Sequence, residues 1–177
     1  MKKINVVGTS GSGKSTFSRM LATRLGYPHL EMDAMFWKPN WQESSDEEFF
    51  AKLNSALSQE RWVLDGNYNR TVDIKWAGVD HVIWIDYSFP RTVYQAIKRA
   101  FIRSITKTEL WDKTGNIETF RKSFFSRDSI IIWTLKTYKR NHIRYMEMLN
   151  DPKYSHIKFV RLKSPKIANK FIDELDL

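Results

Sequence analysis

The stretch that decides the fold is VVGTSGSGKST, residues 6–16. A short apolar run ends at Gly8, a loop of small residues follows, and Gly13-Lys14-Ser15 opens a segment with helical periodicity. This stretch fits the pattern G-x-x-x-x-G-K-[ST] in full. Glycines let such a loop wrap closely around a phosphate chain and turn backbone N–H groups toward it. The stretch therefore predicts a polyphosphate-binding loop between a buried strand and a helix.

Each part of this loop has a chemical role in holding a nucleotide. The backbone and the positive end of the following helix dipole would surround the phosphates. Lys14 would reach the β and γ phosphates, and the Ser15 hydroxyl would ligate magnesium. We therefore expect ATP and Mg²⁺ as cofactors. The predicted nucleotide-binding residues are Gly8, Thr9, Ser10, Gly11, Ser12, Gly13, Lys14, Ser15 and Thr16.

Strand-like and helix-like stretches alternate along the rest of the chain. Short apolar runs predict buried strands at residues 4–7, 29–32, 62–64, 81–86 and 157–162. Helical periodicity and capping residues predict helices at 14–25, after Ser45, at 90–103, at 129–149 and after Ser164. The buried face of the first helix is predicted to include Met20, and that of the last helix Ile167. This alternation predicts an α/β P-loop NTPase fold, a five-stranded parallel sheet flanked by helices.

The segment at about 104–128 interrupts this alternation. It is polar, basic and poorly periodic, with Gly115-Asn116 as a turn. We expect a single domain over residues 1–177, with this segment forming a lid-like insertion.

A magnesium ion held by Ser15 also needs a carboxylate at a strand end. Asp65 follows the apolar run at 62–64, and Asp86 follows the run at 82–85. Strand-end aspartates are also common turn residues, so either one could be structural. We favour Asp65, because the glycine after it leaves space for a ligand. The predicted metal-binding residues are therefore Ser15 and Asp65.

The positive charge of the chain is concentrated in one segment. Residues 91–144 hold 13 Lys and Arg against 4 Asp and Glu, an excess equal to the whole net charge of +9. Such a block attracts nucleic acid or small phosphates, or else forms a solvated helical face. Its candidates for phosphate contact are Arg99, Arg103, Arg121, Arg127 and Arg140, since a guanidinium binds phosphate oxygens bidentately. We favour Arg121 and Arg127, which flank the predicted lid.

The composition narrows the class of protein further. The chain has no cysteine, which excludes a disulfide framework and a thiolate zinc site. The apolar run after Met1-Lys2-Lys3 ends at Val7, too short for the core of a signal peptide. No stretch approaches the roughly 18 apolar residues of a membrane span. We expect a cytoplasmic protein.

Several motifs outside the phosphate loop resemble a known family. The loop followed by DGNYNR, residues 65–70, is similar to the small P-loop kinases related to adenylate kinase. More closely, the chain resembles their subgroup of DNA topology modulation proteins. The motifs that carry this resemblance are DAMFWKPNW at 33–41, DGNY at 65–68, ELW at 109–111 with Gly115-Asn116, FSRDSI at 125–130 and RLKSP at 161–165.

The resemblance implies a five-stranded parallel core, an acceptor site beside it and an arginine-bearing lid that closes over ATP. Adenylate kinases carry Asp-Gly-Phe-Pro-Arg, in which the arginine grips the acceptor phosphate. Here Asn-Tyr-Asn separates Gly66 from Arg70, so the arginine follows Asp65 by five positions rather than four. This departure means that the resemblance does not identify the acceptor as AMP.

Asp33 is the candidate residue on the acceptor side. A hydroxyl acceptor benefits from a carboxylate that receives its proton, whereas a phosphate acceptor is already anionic. Asp33 stands just beyond the second strand, where the topology points to the acceptor pocket. Shikimate-type and gluconate-type kinases place aspartates in that region, although Asp33 could equally terminate a strand. Phe36, Trp37 and Trp41 could stack on a base or sugar, or belong to the core.

The sequence as a whole predicts an ATP-dependent phosphotransferase of the nucleoside monophosphate kinase class. Its catalytic residues would be Lys14, Asp33, Arg121 and Arg127, and its partner a small phosphate acceptor, either a nucleotide or a hydroxylated metabolite. The alternative is a P-loop ATPase or regulator that binds nucleic acid through residues 91–144. These two classes differ in whether nucleic acid or a small molecule stimulates ATP turnover.

Overall fold

A parallel sheet of five strands runs through the centre of the protein. The computed structural model describes residues 1–107, 109–111, 114–117 and 129–175. The strands in these ranges are β1 (Lys3–Gly8), β2 (His29–Glu31), β3 (Trp37–Lys38), β4 (Gln42–Glu43), β5 (Trp62–Asp65), β6 (His81–Ile85) and β7 (Lys158–Leu162). Five of them form the sheet in the order β2-β5-β1-β6-β7, with every neighbouring pair parallel. The predicted five-stranded parallel sheet is confirmed.

Helices follow the strands and cover both faces of the sheet. The helices in the described ranges are α1 (Lys14–Leu25), α2 (Met32–Phe36), α3 (Asp46–Leu57), α4 (Val72–Trp76), α5 (Phe89–Thr106), α6 (Ile130–Asn150) and α7 (Pro165–Asp173). None of these helices is both long and apolar enough to cross a membrane.

Alternating residues of the central strand belong to two separate cores. Ile4 and Val6 pack in a cluster with residues of α1 and α7. Val7 packs on the opposite face, in a cluster with residues of α2, α3 and α6. Because side chains point alternately to the two faces of a sheet, a strand covered on both faces is apolar throughout. This explains why the run before Gly8 is mostly apolar rather than alternating. Its one polar residue, Asn5, is fully buried, and its amide donates to the Leu64 carbonyl and accepts from Trp76 Nε1.

Serine caps fix the starts of three helices where the sequence predicts them. Ser45 and Glu48 form a capping box, in which the Glu48 N–H donates to Ser45 Oγ and the Ser45 N–H donates to Glu48 Oε2, both at 3.3 Å. Ser129 caps α6 by accepting from the Ile132 N–H, and Ser164 caps α7. Each cap satisfies an N–H group that has no partner within its helix.

Two predicted helix faces are each wrong at one residue. Met20 is 44% exposed and Ile167 is 47% exposed. In α1 the small residues Ser18 and Ala22 occupy the buried positions beside Phe17 and Leu21. In α7 the buried residues are Ala168 and Ile172. Small side chains let these helices approach the sheet closely, which turns the larger neighbours outward.

The segment between β2 and α3 also differs from the prediction. Met32, expected to end the second strand, begins α2 instead. A short antiparallel pair follows, in which β3 and β4 flank a tight turn. Asn40 and Trp41 in this turn both have a φ of 60°, in the left-handed region that non-glycine residues rarely adopt. This compact segment carries Asp33 and lies beyond the carboxyl end of β2.

Candidate functional site

The phosphate loop leaves the carboxyl end of β1 in a conformation that requires glycine. Gly8 and Gly11 have φ values of 155° and 83°. A Cβ at Gly8 would lie 2.7 Å from the Ile85 carbonyl oxygen, and one at Gly11 would lie 2.7 Å from Ala96 Cβ on α5. Any larger residue would therefore push the loop off β6 and α5. The glycine spacing of the motif reflects close packing as well as backbone freedom.

Backbone amides are available at the start of α1. Gly13 is the N-cap residue in a left-handed conformation, and no side chain caps the helix. Within the loop, the Ser12 N–H donates to the Thr9 carbonyl at 3.0 Å and closes the turn. The uncapped N–H groups and the helix dipole favour an anion at this end of the helix.

Lys14, the first residue of α1, meets Asp65, the last residue of β5. Lys14 Nζ lies 3.7 Å from Asp65 Oδ1, and the two side chains are 13% and 6% exposed. Within the described ranges, Asp65 Oδ1 is buried and receives no hydrogen bond. A buried carboxylate oxygen without a donor is costly unless a ligand or a solvated ion uses it. This is the observation that makes Asp65 suitable for supporting a metal ion.

The donor set around Ser15 and Asp65 fits magnesium rather than a protein-enclosed metal. The described part of the chain contains no group of three or more His, Cys, Asp or Glu residues that could hold a metal ion. Mg²⁺ is commonly held by one or two protein oxygens and takes its other ligands from phosphates and water. A serine hydroxyl and a nearby carboxylate suit that arrangement.

Asp86, the other strand-end aspartate, is engaged in ion pairs. Its Oδ2 accepts from Arg161 Nη2 at 2.6 Å and from Arg161 Nε at 2.8 Å. Its Oδ1 lies 3.0 Å from His142 Nδ1 on α6. Asp86 therefore joins β6, β7 and α6, whereas Asp65 faces the phosphate loop. The geometry thus separates the two aspartates, of which the sequence favours Asp65. The reason taken from the sequence is wrong, because Gly66 leaves no space for a ligand: a Cβ there would lie 2.6 Å from the Met32 side chain.

Asn67 fastens the start of the phosphate loop, a role that the sequence analysis missed. Its Oδ1 accepts from the Gly8 N–H at 3.0 Å, and its Nδ2 donates to the Gly8 carbonyl. The buried Tyr145 hydroxyl on α6 also donates to Asn67 Oδ1, at 3.0 Å. Burial raises the pKa of Tyr145, so the hydroxyl remains a donor. The DGNY motif contained the signal, since Asn67 lies two residues after Asp65.

Asp33 lies in the first turn of α2 and binds the next residue of the same motif. The Tyr68 hydroxyl donates to Asp33 Oδ1 at 2.7 Å. Burial, followed by the charge of Asp33, raises the pKa of Tyr68, which keeps the tyrosine protonated. The hydrogen bond orients the half-buried Asp33 carboxylate.

Arg70 is held by protein groups beside this carboxylate. Its Nε lies 3.0 Å from Asp46 Oδ1 at the start of α3. Its guanidinium also lies over the rings of Phe36 and Phe49, 4.9 and 5.6 Å from their centroids. These contacts place Arg70 in an aromatic and ionic cluster around Tyr68. Arg70, which follows Asp65 by five positions, is therefore an arginine that packs against the protein.

The aromatic residues of the 33–41 motif divide into two groups. Phe36 is buried and packs on Phe49, with ring centroids 5.3 Å apart. Trp37 and Trp41 are half-buried and pack edge to face, with centroids 5.7 Å apart. Trp111 continues this row at 6.0 Å from Trp41. Phe36 thus belongs to the core. Trp37, Trp41 and Trp111 form a row of ring contacts that extends from the 33–41 motif to Trp111 of the predicted insertion.

Part of the predicted insertion is fastened to the β3–β4 turn. Asn116 is fully buried; its Oδ1 accepts from the Trp41 N–H at 2.8 Å and its Nδ2 donates to the Lys38 carbonyl at 3.0 Å. The Asn116 side-chain amide therefore makes the hydrogen bonds that another backbone segment would otherwise supply to the turn at Asn40 and Trp41. We call this arrangement the Asn116 clamp.

Only part of the basic segment, residues 91–144, lies within the described residues. Arg99 and Arg103 lie on α5 and Arg140 lies on α6. Arg121 and Arg127, the favoured lid arginines, lie outside the described residues. On α6, Thr134 Oγ1 donates to the Ser10 carbonyl at 3.1 Å, which ties this helix to the phosphate loop.

A buried lysine near the loop also escaped the sequence analysis. Lys75 is 1% exposed on α4, and its Nζ donates to the Gly66 carbonyl at 3.4 Å. Burial, followed by the positive charges of Lys14 and Arg144, lowers the pKa of Lys75 to about 7. The surrounding sequence VDIKW gives no signal for burial, because lysines in short helices are usually solvated.

Sequence comparison with known proteins finds short matches. No protein-family model matches the chain. The cytidylate kinase of Caldicellulosiruptor bescii is 53% identical over 38 residues, which cover 20% of this chain and 17% of that protein. The match therefore spans about a sixth of the length of that curated relative.

Solved structures align along nearly the whole chain at low identity. A shikimate kinase from Acinetobacter baumannii, solved with shikimate, aligns with a TM-score of 0.61 at 14% identity, covering 98% of this chain and 90% of its own. A gluconokinase from Sinorhizobium meliloti aligns with a TM-score of 0.51 at 17% identity, covering 98% and 88%. The chain has the α/β P-loop NTPase fold found in these small kinases.

Proposed function

We propose that this protein is an ATP-dependent phosphotransferase that moves the γ-phosphoryl group of ATP to a small-molecule acceptor. The observation that carries the proposal is the pairing of Lys14 with the buried Asp65 carboxylate at the mouth of a complete phosphate loop. Similarity to small P-loop kinases in fold and in one short sequence match supports it.

The phosphate loop would hold ATP through backbone amides between Thr9 and Thr16, since the Gly8 N–H is bonded to Asn67 and the Ser12 N–H to the Thr9 carbonyl. Lys14 would bind the β and γ phosphates and neutralise charge as the β–γ bridge breaks. Mg²⁺, held by Ser15 and supported by Asp65, would supply further charge neutralisation when bound. Asn67 keeps the loop in place for this role, since it holds both backbone polar groups of Gly8.

Asp33 would act on the acceptor. A hydroxyl oxygen of the acceptor attacks the γ-phosphorus, its proton passes to the Asp33 carboxylate, and the bond to the bridging oxygen breaks to leave ADP. Tyr68 orients Asp33 for this transfer. The ion pair of Arg70 with Asp46 favours this hydroxyl acceptor over a phosphate gripped by Arg70. Arg121 and Arg127 are proposed to neutralise the transferring group from the insertion.

Finer assignments follow from the motifs. The motifs at residues 33–41, 65–68, 109–111, 125–130 and 161–165 support placing the chain in the DNA topology modulation subgroup of these kinases. We propose that the protein acts in the cytoplasm. The similarity to a cytidylate kinase keeps a nucleotide within the acceptor class. The charge excess of residues 91–144 favours one second candidate, a P-loop ATPase that binds nucleic acid.

A panel of acceptors tests the proposal. Nucleoside monophosphates, nucleosides and small hydroxylated metabolites are each scored for ADP release above water hydrolysis, with duplex DNA as a further arm. We expect stimulation by at least one small molecule and by no DNA. Stimulation by DNA alone would favour the ATPase, and transfer to none of the small molecules would contradict the kinase.

A further inference from the structure

Lys75 is a charged residue of the site that the proposed mechanism does not use. Its side chain lies inside the protein, and Val72 and Trp76 on the same helix are also buried. Its one hydrogen bond among the described residues is the long contact of 3.4 Å with the Gly66 carbonyl. An ammonium group that loses its hydration in this way is costly to bury unless a counter-charge replaces the water.

No carboxylate in the described part of the chain supplies that counter-charge. The charges that act on Lys75 are those of Lys14 on the phosphate loop and Arg144 on α6, and both are positive. Asp65 pairs with Lys14 instead, and Asp73 on the same helix pairs with Lys153 at 2.8 Å. The protein therefore places three cations around one end of the sheet without an anion for the buried one.

The Gly66 carbonyl connects Lys75 to the phosphate site. Gly66 lies between Asp65, which faces Lys14, and Asn67, which holds Gly8. Its carbonyl also accepts from Asn5 Nδ2 at 3.3 Å, and a Cβ at this position would lie 2.6 Å from the Met32 side chain. The backbone here is fixed from several sides. A charge attached to this turn is held close to the groups that bind nucleotide.

We propose that Lys75 is a second cation of the phosphate site, a positioning residue whose counter-charge is the polyphosphate of the bound nucleotide. The inference rests on the proposed function only as far as nucleotide binding, and not on phosphoryl transfer. Lys75 does not touch the phosphates. Its charge acts through the protein interior, where screening by water is weak, and its hydrogen bond holds Gly66 in place.

This role predicts that removing the Lys75 charge has opposite effects on the stability of the fold and on the affinity for ATP. Without nucleotide, the buried cation destabilises the fold, and replacing a buried charge by an apolar side chain of similar size is often neutral or stabilising. The Lys75→Met protein should therefore melt at or above the wild-type Tm. Its Kd for ATP should rise by roughly tenfold or more, within the usual range of coupling between two interacting sites. A purely structural lysine would instead lower the Tm when replaced.

The pH dependence has a definite sign. The pKa of Lys75 falls from the ordinary 10.5 to about 7 on folding, so the unfolded chain binds this proton more tightly. Stability that the wild type has above pH 10.5 is therefore lost as the pH falls toward 7. The Tm advantage of Lys75→Met should be largest at and below pH 7 and should shrink as the pH approaches 10.5.

Calorimetry with ATP and thermal melting test the proposal together. ATP is titrated at pH 7 into the wild type, Lys75→Met, Lys75→Arg and Lys153→Met, in two buffers of different ionisation enthalpy. Lys153→Met is the matched control, because it removes the same charge from an exposed partner of α4. We expect the wild type to take up protons on binding and Lys75→Met to take up fewer. Lys75→Arg should recover part of the affinity.

Each other outcome contradicts the inference in its own way. An unchanged Kd in Lys75→Met, an equal loss in Lys153→Met, or a Lys75→Met protein that melts below the wild type overturns it. Failure of the kinase proposal is distinguishable, since an acceptor panel can be negative while ATP still binds. A wild type that does not bind ATP removes both.

Discussion

The two halves of the candidate site are built in different ways. The phosphate half comes from one continuous stretch, Gly8 to Thr16, and its predicted contacts are mainly backbone N–H groups. The acceptor half comes from separated segments at 33–43, 65–70 and 109–117, and it depends on side chains. Backbone chemistry needs only glycine and small residues at fixed spacing, so it is visible in sequence. A site built from side chains that are far apart in sequence can change its ligand specificity while the phosphate loop stays the same.

Two adjacent residues join these halves. Asn67 binds Gly8 of the phosphate loop, and Tyr68 binds Asp33 of the acceptor side. Both follow β5, whose residues pair with β1 on one side and β2 on the other. The place of β5 between β1 and β2 brings the DGNY turn beside both the phosphate loop and Asp33.

Lys14→Ala should abolish most function of the phosphate half. We expect ATP-dependent turnover to fall at least ~100-fold, because a charge that stabilises the transferring group is lost. Turnover is measured as ADP release, and folding by circular dichroism. Lys170→Ala, on the exposed face of α7, is the control and should keep wild-type turnover. Near-wild-type turnover in Lys14→Ala would remove the loop from the mechanism.

Asp65→Asn should change the metal requirement of the phosphate half. The amide keeps the shape of the side chain but removes the charge that supports Mg²⁺. We expect the Mg²⁺ concentration for half-maximal turnover to rise roughly tenfold, the usual scale for outer ligands of a metal. A magnesium titration at saturating ATP measures this. An unchanged midpoint would assign Asp65 to structure alone.

Asn67→Ala and Tyr68→Phe should separate the two halves. Loss of the Asn67 contacts with Gly8 should raise the KM for ATP and leave the KM for the acceptor unchanged. Loss of the Tyr68 hydroxyl removes a hydrogen bond to a carboxylate, worth about 1.5–3 kcal/mol, and should lower kcat with the KM for ATP unchanged. Steady-state kinetics with each substrate varied provides the comparison. If both variants affect the same substrate, the division into halves is wrong.

Asn116→Ala should give the smallest effect, confined to the acceptor half. It removes the hydrogen bonds that the Asn116 side chain makes with the Lys38 carbonyl and the Trp41 N–H, at a cost of about 1–3 kcal/mol. We expect a modest rise in the KM for the acceptor and a change in tryptophan fluorescence, since Trp41 packs on Trp37 and Trp111. A rise in the KM for ATP of equal size would contradict the confinement.

The sequence predicts those parts of the structure that depend on local chemistry. The sheet, the phosphate loop and the serine caps at Ser45, Ser129 and Ser164 each follow from a short pattern. The Asn116 clamp joins residues 75 positions apart, and no local pattern marks an asparagine that replaces a backbone partner. Lys75 is similar, because no pattern in VDIKW marks its burial or its contact with the Gly66 carbonyl. Asp65 and Asp86 both end apolar runs, and the preference for Asp65 rests on the glycine after it; the ion pairs of Asp86 with Arg161 and His142 depend on contacts that no local pattern marks.

The most direct test of the account is the effect of Asp33→Asn once an acceptor is known. With a hydroxyl acceptor, the variant loses the group that receives the proton, so kcat should fall by roughly 100-fold or more. The Kd for ATP, measured by calorimetry, should stay within about twofold of the wild type, because Asp33 lies outside the phosphate half. A kcat that stays at the wild-type value, or an ATP affinity that falls in parallel with kcat, would contradict the proposed role of the acceptor half.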